Sequence, residues 1–322
     1  MNIPRFSELP LREGDPPYSA WGLYGEKDEL GTLNRQTDDL VLAAAKEIRS
    51  GKRISLNWPL DAQDKIPFFG RHIFHKEIIA KTPRIVNDDV WTFNTQSSSQ
   101  WDGLRHFAYQ KEQKFYNGVT MDDIHGPNKT NVNGIHAWTK NGIVGRGVLL
   151  DHHRWRLAHN IPAEIFKRHP IPVEHLKAVA EFQQTDIKFG DILIIRVGYM
   201  EAFRALSDEE LTSLAKNIPH ALIGVEQSKE TLEWIWSNFS AVAGDHPSFE
   251  AYPPPSDLCL HEVLLAGWGM PIGELFDLDE LAQHCEKEKR WTFFVASEPC
   301  NVPGGVARSV HFCIVIMMRL AF

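Results

Sequence analysis

The chain has 322 residues, 43% of them hydrophobic and 24% charged, with a formal net charge of −8. An acidic chain without a Lys/Arg cluster argues against nucleic-acid binding. It has no apolar run of about 18 residues, which argues against a membrane span. Its start, Met1 to Arg5, lacks the apolar core of a signal peptide. Four cysteines without C-x-x-C spacing are typical of reduced thiols. We therefore expect a cytoplasmic protein that acts on a small molecule.

Taken in chain order, hydrophobic periodicity predicts helices and strands without a regular βαβα rhythm. The strands are predicted at 53–58, 90–94, 147–151, 191–197, 291–296 and 310–318. The helices are predicted at 38–48, 173–184, 228–236 and 277–287. This pattern argues against a Rossmann or TIM plan and predicts an α+β fold. We expect residues 1–322 to form a single domain, with residues 1–50 as an N-terminal extension packing on it.

The densest polar segment reads QSSSQWDGLRH and runs from Gln96 to His106. Gln96, Gln100, Asp102 and His106 lie at even offsets, so an extended backbone would point all four side chains to one side. Such a cluster can coordinate a cation or hold a base beside a substrate. The alternative is a serine-rich polar turn with a solvated His106, and spacing alone does not decide between the two.

A second candidate segment joins His261 to Glu274 through an apolar helical turn and a bend rich in Gly and Pro. Glu274 is expected at a buried strand end, where a carboxylate needs a partner or a cation. The alternative is a helix-capping role before Leu275. Substrate contacts are expected from aromatic and polar residues in or near the first segment, and from a loop after a run of small residues. These residues are Trp91, Trp101, Arg105, Phe107, Tyr109, Asp245 and His246.

Together these segments resemble the cyclase family, which includes bacterial kynurenine formamidases and isatin hydrolases. That family carries H-x-G-T-H-x-D-x-P-x-H where this chain has QSSSQWDGLRH. The resemblance extends over roughly residues 50 to 316. It implies a swivelling β/β/α domain, usually a homodimer or larger homo-oligomer, with a divalent metal.

By position, the resemblance assigns roles to individual residues. Asp102 matches a metal-bridging aspartate, and His106 matches the histidine assigned to proton transfer. His261 and Glu274 match later metal ligands, with one extra residue between them here. Gln96 and Gln100 replace two metal-ligand histidines, and this form looks like a fungal and actinobacterial branch.

Replacing imidazoles by amides changes the metal that the site would prefer. An amide oxygen is a hard, neutral donor that suits Mg, Ca or Mn better than it suits Zn. We expect one divalent ion, Mn first and Zn second, held by Gln96, Gln100, Asp102, His261 and Glu274. The other outcome is a site without metal, in which the two glutamines donate hydrogen bonds to a substrate oxygen.

Three functions remain open at this level. The leading hypothesis is a hydrolase that cleaves a cyclic or aryl amide, lactam or lactone through a metal-activated water, with His106 as acid and base and Glu274 assisting. The second is a non-hydrolytic cyclase, lyase or isomerase of secondary metabolism that uses His106 and carboxylates without metal. The third is a binding protein that kept the fold and lost its activity.

Overall fold

The computed structural model describes residues 2–63, 68–255, 257–309 and 312–318, without the side chains of 68, 308, 309 and 312–318. Thirteen strands lie within these residues, which follow in chain order. They are β1 (Ser50–Ser55), β2 (His75–Ala80), β3 (Asn87–Thr92), β4 (Gln100–Asp102), β5 (Ile143–Leu150), β6 (His169–Ile171), β7 (Asp191–Ile195), β8 (Ile223–Val225), β9 (Phe239–Gly244), β10 (Ile272–Glu274), β11 (Thr292–Glu298), β12 (Ala307–Ser309) and β13 (Phe312–Met318).

Nine of these strands form one mixed sheet in the order β1-β13-β11-β5-β7-β9-β10-β4-β12. The four central strands, β5, β7, β9 and β10, are parallel, and the outer strands pair antiparallel. Every residue of β7 and β9 is buried, as expected for parallel strands covered on both faces. The strands predicted at 53–58, 147–151, 191–197, 291–296 and 310–318 all fall in this sheet, although residues 310 and 311 lie outside the described part.

Helices cover the faces of the sheet. They are α1 (Asp38–Ala44), α2 (Met121–His125), α3 (His152–Ala158), α4 (Val173–Phe182), α5 (Tyr199–Arg204), α6 (Asp208–Lys216), α7 (Lys229–Asn238) and α8 (Asp279–Glu288). Helix α7 begins where predicted because the Ser228 hydroxyl accepts a hydrogen bond from the Thr231 amide at 3.1 Å. The helix predicted at 38–48 continues as a 3₁₀ turn, Ala45–Glu47. Over the described ranges, no helix combines the length and apolarity needed to cross a membrane.

Residues before β1 pack on the rest of the chain through buried aromatic and aliphatic side chains. Phe6 and Trp21 belong to the main hydrophobic cluster. The Trp21 indole donates a hydrogen bond to the Ala266 carbonyl at 2.6 Å, and the Trp268 indole donates to the Tyr18 carbonyl at 2.7 Å. Buried indole N–H groups need such acceptors. These contacts fix the N-terminal segment against the part of the chain that carries His261.

Strands β2 and β3 form a separate hairpin that stands away from the main sheet. All twelve of their residues are exposed, including Ile78, Val90 and Trp91. An isolated two-stranded hairpin is at best marginally stable in water. The hairpin therefore presents both of its faces to whatever surrounds this chain.

Candidate functional site

A cavity of about 210 Å³ opens where the end of β10, the loop after β9 and the segment after β4 meet. Its polar lining comes from three separate stretches of the chain. These polar residues are Arg71, His106, Ser248, Glu250, His261 and Glu274.

The antiparallel pairing of β4 with β10 sets the floor of this site. Gln100 lies opposite Glu274 in the register, and Asp102 lies opposite Ile272. The Gln100 amide donates to Glu274 Oε2 at 3.0 Å, and the Phe249 amide donates to Glu274 Oε1 at 2.9 Å. Glu274 is therefore the buried strand-end carboxylate that its sequence context predicts, and the helix-capping alternative is wrong.

The serines of the first segment anchor the turn that leads into β4. The Ser98 hydroxyl donates to the Trp58 carbonyl at 2.7 Å, and the Ser99 hydroxyl donates to the Leu275 carbonyl at 2.5 Å. The backbone is extended only from Gln100 to Asp102, and His106 follows in a turn closed by its amide donating to the Gly103 carbonyl. A turn, rather than a continuous strand, therefore brings His106 back beside Asp102.

Asp102 lies at the centre of the site and is fully buried. Its Oδ1 accepts a hydrogen bond from the Gln96 amide at 2.8 Å. Its Oδ2 has no hydrogen-bond partner among the described residues. Two imidazole nitrogens flank that oxygen, His106 Nε2 at 3.9 Å and His261 Nε2 at 4.0 Å. A buried carboxylate oxygen left in this way is costly unless a cation or a donor reaches it.

His261 is held between two carboxylates. Its Nδ1 lies 2.7 Å from Glu250 Oε1, and its Nε2 lies 3.3 Å from Glu274 Oε1. Burial alone would lower the pKa of His261, but these two carboxylates raise it well above the ordinary value. For Glu250, burial pushes the pKa up, and the hydrogen bond from His261 brings it below its usual range. Without a cation, His261 is thus an imidazolium paired on both sides.

His106 sits at the mouth of the cavity with 21% of its side chain exposed. Burial lowers its pKa, and the charge of Asp102 offsets only part of this effect. The Gln96 amide nitrogen lies 3.0 Å from Nδ1 and also reaches Asp102. Glutamine has no proton to exchange near neutral pH, so Gln96 orients the ring without competing for its proton.

The donor set fits one divalent cation. Nitrogen and oxygen ligands lie about 2.0 to 2.2 Å from a metal such as zinc, so two of them are at most about 4.4 Å apart. Asp102, His106 and His261 each offer a ligand atom, and these atoms all lie within 4.8 Å of one another. The Gln100 carbonyl oxygen is also buried without a hydrogen-bond partner in the described residues. The Nδ1–H of His261 facing Glu250 is the outer-shell arrangement usual for a metal-binding histidine.

Two predicted substrate contacts instead belong to the core. Trp101 points away from the cavity because side chains alternate along a strand, and Gln100 and Asp102 occupy the site face. Its ring packs edge-on against Phe276, and its indole donates to the Ser297 hydroxyl at 2.9 Å. Tyr109 is buried against Trp21, and its hydroxyl donates to the Pro17 carbonyl at 2.8 Å.

Arg105 and Trp91 also lie outside the cavity. The Arg105 guanidinium donates to three backbone carbonyls, those of Thr130, Val132 and Gly304, at 2.6 to 3.0 Å. It therefore ties loops together rather than facing a substrate. Trp91 is 47% exposed on the separate hairpin and donates to Asp89.

Asp245 and His246 are fully buried and organise the loop instead of contacting the cavity. Asp245 accepts hydrogen bonds from the amides of Val197, Gly198 and Tyr199 at 2.7 to 2.9 Å. His246 Nε2 lies 2.9 Å from the Phe249 carbonyl. Of the seven predicted substrate contacts, Phe107 alone lines the cavity, with its ring 5.6 Å from that of His261.

Two polar residues of the site were missed from the sequence. Glu250 is 1% exposed and accepts hydrogen bonds from the amides of Leu260 and His261 as well as from the His261 ring. Its signal was a lone carboxylate between aromatic residues, Phe249 and Tyr252. Arg71 lines the cavity from the other side. Its signal was a single Arg in a stretch that otherwise read as a loop.

The fold and the site together define a class of protein with a mixed sheet and a buried carboxylate–histidine cluster at its edge. A family model described as "Putative cyclase" matches residues 44–251. The chain therefore belongs to the cyclase family. A search of curated proteins gives no match to it.

Solved structures confirm the predicted fold class. A structure described as a novel cyclase has a TM-score of 0.80 and 28% identity, over 92% of this chain and 99% of that one. Isatin hydrolase A from Labrenzia aggregata, bound to benzyl benzoate, has a TM-score of 0.54 and 14% identity, over 87% of this chain and 98% of that one. Isatin hydrolase A from Ralstonia solanacearum has the same TM-score and identity, over 87% and 97%.

Proposed function

We propose that this protein is a metal-dependent hydrolase of a cyclic or aryl amide, lactam or lactone. The observation that carries the proposal is the buried Asp102 Oδ2, which has no partner in the described residues and lies about equally far from two imidazole nitrogens. Family membership and the isatin hydrolase neighbours support the same reaction class.

Asp102, His261 and Glu274 would hold the cation, together with the Gln100 carbonyl oxygen. Mn or Zn fits this mixed set of oxygen and nitrogen donors. When bound, the cation supplies positive charge that polarises a carbonyl and acidifies a water molecule. Glu250 fixes the ring of His261 and keeps the proton on Nδ1, which leaves Nε2 to face the site.

His106 carries the proton in this proposal. Its lowered pKa leaves the imidazole neutral near pH 7, so it can accept a proton from the attacking water. The same ring then returns the proton to the leaving nitrogen or oxygen. Its position at the cavity mouth gives it access to both groups.

One observation favours a second candidate, a metal-independent cyclase, lyase or isomerase. The imidazolium of His261 compensates the charges of Glu250 and Glu274 without any cation. In that case His106 and Glu274 would move a proton on the substrate, and no water would be consumed.

The deciding experiment combines elemental mass spectrometry of the purified protein with turnover of formanilide, isatin and dihydrocoumarin. We expect about one Mn or Zn per chain, ring opening or amide cleavage of at least one compound, and loss of turnover after chelation that the metal restores. A protein without metal, or one whose turnover survives chelation, would contradict the metal-dependent proposal. Turnover that survives chelation without consuming water would favour the second candidate.

A further inference from the structure

The cavity contains a second positive group, the guanidinium of Arg71, which the mechanism above does not use. One of its terminal nitrogens donates to the Gln96 carbonyl, and its central carbon lies 5.1 Å from the centre of the Phe69 ring. These two contacts fix the side chain. An arginine stays charged in proteins, even when partly buried.

The remaining donors of Arg71 are unspent. Within the described residues, no carboxylate lies within 4 Å of its guanidinium, and no acceptor other than Gln96 receives a hydrogen bond from it. Asp102 and Glu274 act on it only through longer-range attraction. By contrast, the partly buried Arg196 and Arg146 each contact two or more carboxylates. A fixed fork of N–H donors that faces a cavity matches the geometry of a carboxylate.

The walls beside Arg71 are aromatic. Phe69, Phe107 and Tyr252 line the cavity, and the Phe69 and Tyr252 rings meet edge to face at 5.6 Å. The volume of about 210 Å³ lies below the range of about 300 to 1,000 Å³ that is usual for drug-sized ligands. The space therefore suits a small, flat ring with one charged substituent.

We propose that Arg71 binds a carboxylate on the substrate, so that this cavity selects small aryl carboxylates over their neutral counterparts. The proposal deepens the proposed function, because it names the substrate class of the same site. It does not require that the bound molecule be hydrolysed.

A purely structural role for Arg71 makes a different prediction. If Arg71 only compensated the charges of Asp102 and Glu274, its loss would weaken charged and neutral ligands alike. The test is therefore the ratio of two affinities. The probes are 2-aminobenzoate and 2-aminobenzamide, which have nearly the same shape and differ in charge, measured by calorimetric titration of the full chain.

We expect the wild-type protein to bind 2-aminobenzoate about 10- to 100-fold more tightly than 2-aminobenzamide, the range for hydrogen bonds to a charged group. Arg71→Gln should remove that preference, and Arg71→Lys should keep part of it by retaining the charge. Arg12→Gln, a change at an exposed ion pair far along the chain, is the matched control and should keep the full preference. Circular dichroism melts of each variant check the fold.

Each titration is repeated after removal of metal, because a bound cation can also attract a carboxylate. A preference that survives metal removal and disappears in Arg71→Gln supports the proposal. Equal affinities in the wild type, no binding of 2-aminobenzoate at millimolar concentration, or a preference that Arg71→Gln leaves intact would overturn it. Hydrolysis of neutral aryl amides alongside any of these results would leave the proposed function standing.

Discussion

Replacing Glu250 by glutamine tests how the protein prepares His261 for a metal. Glu250 Oε1 accepts from the His261 ring at 2.7 Å and from the His261 amide at 2.8 Å, while Oε2 accepts from the Leu260 amide at 2.9 Å. Glutamine keeps one oxygen and turns the other acceptor into a donor. One buried backbone N–H then loses its partner, which costs about 1 to 3 kcal/mol of folding stability.

The same change should weaken metal binding. Removing an outer-shell carboxylate from a metal-ligating histidine typically costs about 10- to 100-fold in affinity. The pH dependence supplies a second signature. Because its partners raise the pKa of His261, a metal must displace a proton from it, and affinity in the wild type should rise as pH rises. Loss of the Glu250 charge lowers that pKa, so the variant should show a weaker dependence on pH near neutrality.

The assay is a chelator-competition titration with Mn and Zn at pH 6, 7 and 8, with thermal melts recorded on the same samples. Glu262→Gln is the matched control, since Glu262 is the next acidic residue along the chain and makes one long bond of 3.4 Å to the Gln110 amide. Wild-type affinity and an unchanged pH slope in Glu250→Gln would refute the outer-shell role.

Further predictions address the other residues of the site and fold. His106→Ala and His106→Asn should keep the fold and the metal but lower turnover by about 10²- to 10⁴-fold, whereas Asp102→Asn should remove metal and turnover together, as parallel melts, metal content and rates would show. Wild-type turnover in His106→Ala would place the proton carrier elsewhere. Asp245→Asn should cost about 1 to 3 kcal/mol in denaturant melts, because one buried amide loses its acceptor, and should leave metal content unchanged. Light scattering should show a homodimer, and Ile78→Lys with Trp91→Lys on one face of the exposed hairpin should yield monomers; a dimer that survives both changes would exclude the hairpin from the interface.

Local patterns in the sequence determined the elements of the fold. The apolar run at 191–195 predicts a strand buried on both faces, and that strand lies in the middle of the parallel part of the sheet. Ser228 marks the start of a helix because capping depends on a hydroxyl and an amide only three residues apart. Such signals are local, so they can be read without knowing the tertiary structure.

The sequence also indicated which residues would gather in one site, but mainly through resemblance to a family. Asp102, His106, His261 and Glu274 meet at one cavity or directly border it. Their roles in binding metal and moving protons remain predictions. Trp101 could have been excluded by alternation along the strand, since it lies between two residues that both face the site.

Only the tertiary structure decided which polar groups serve the site and which serve the fold. The amides that hold Asp245 lie 46 to 48 residues before it, and Gln100 lies 174 residues from its partner Glu274. Asp245 and Glu250 are both buried carboxylates in one short loop, yet one caps a neighbouring turn and the other holds the His261 ring. A buried carboxylate must find donors, but the sequence does not say which distant backbone or side chain supplies them. Sheet pairing makes that choice here, because it brings β4 and the loop after β9 to the same edge.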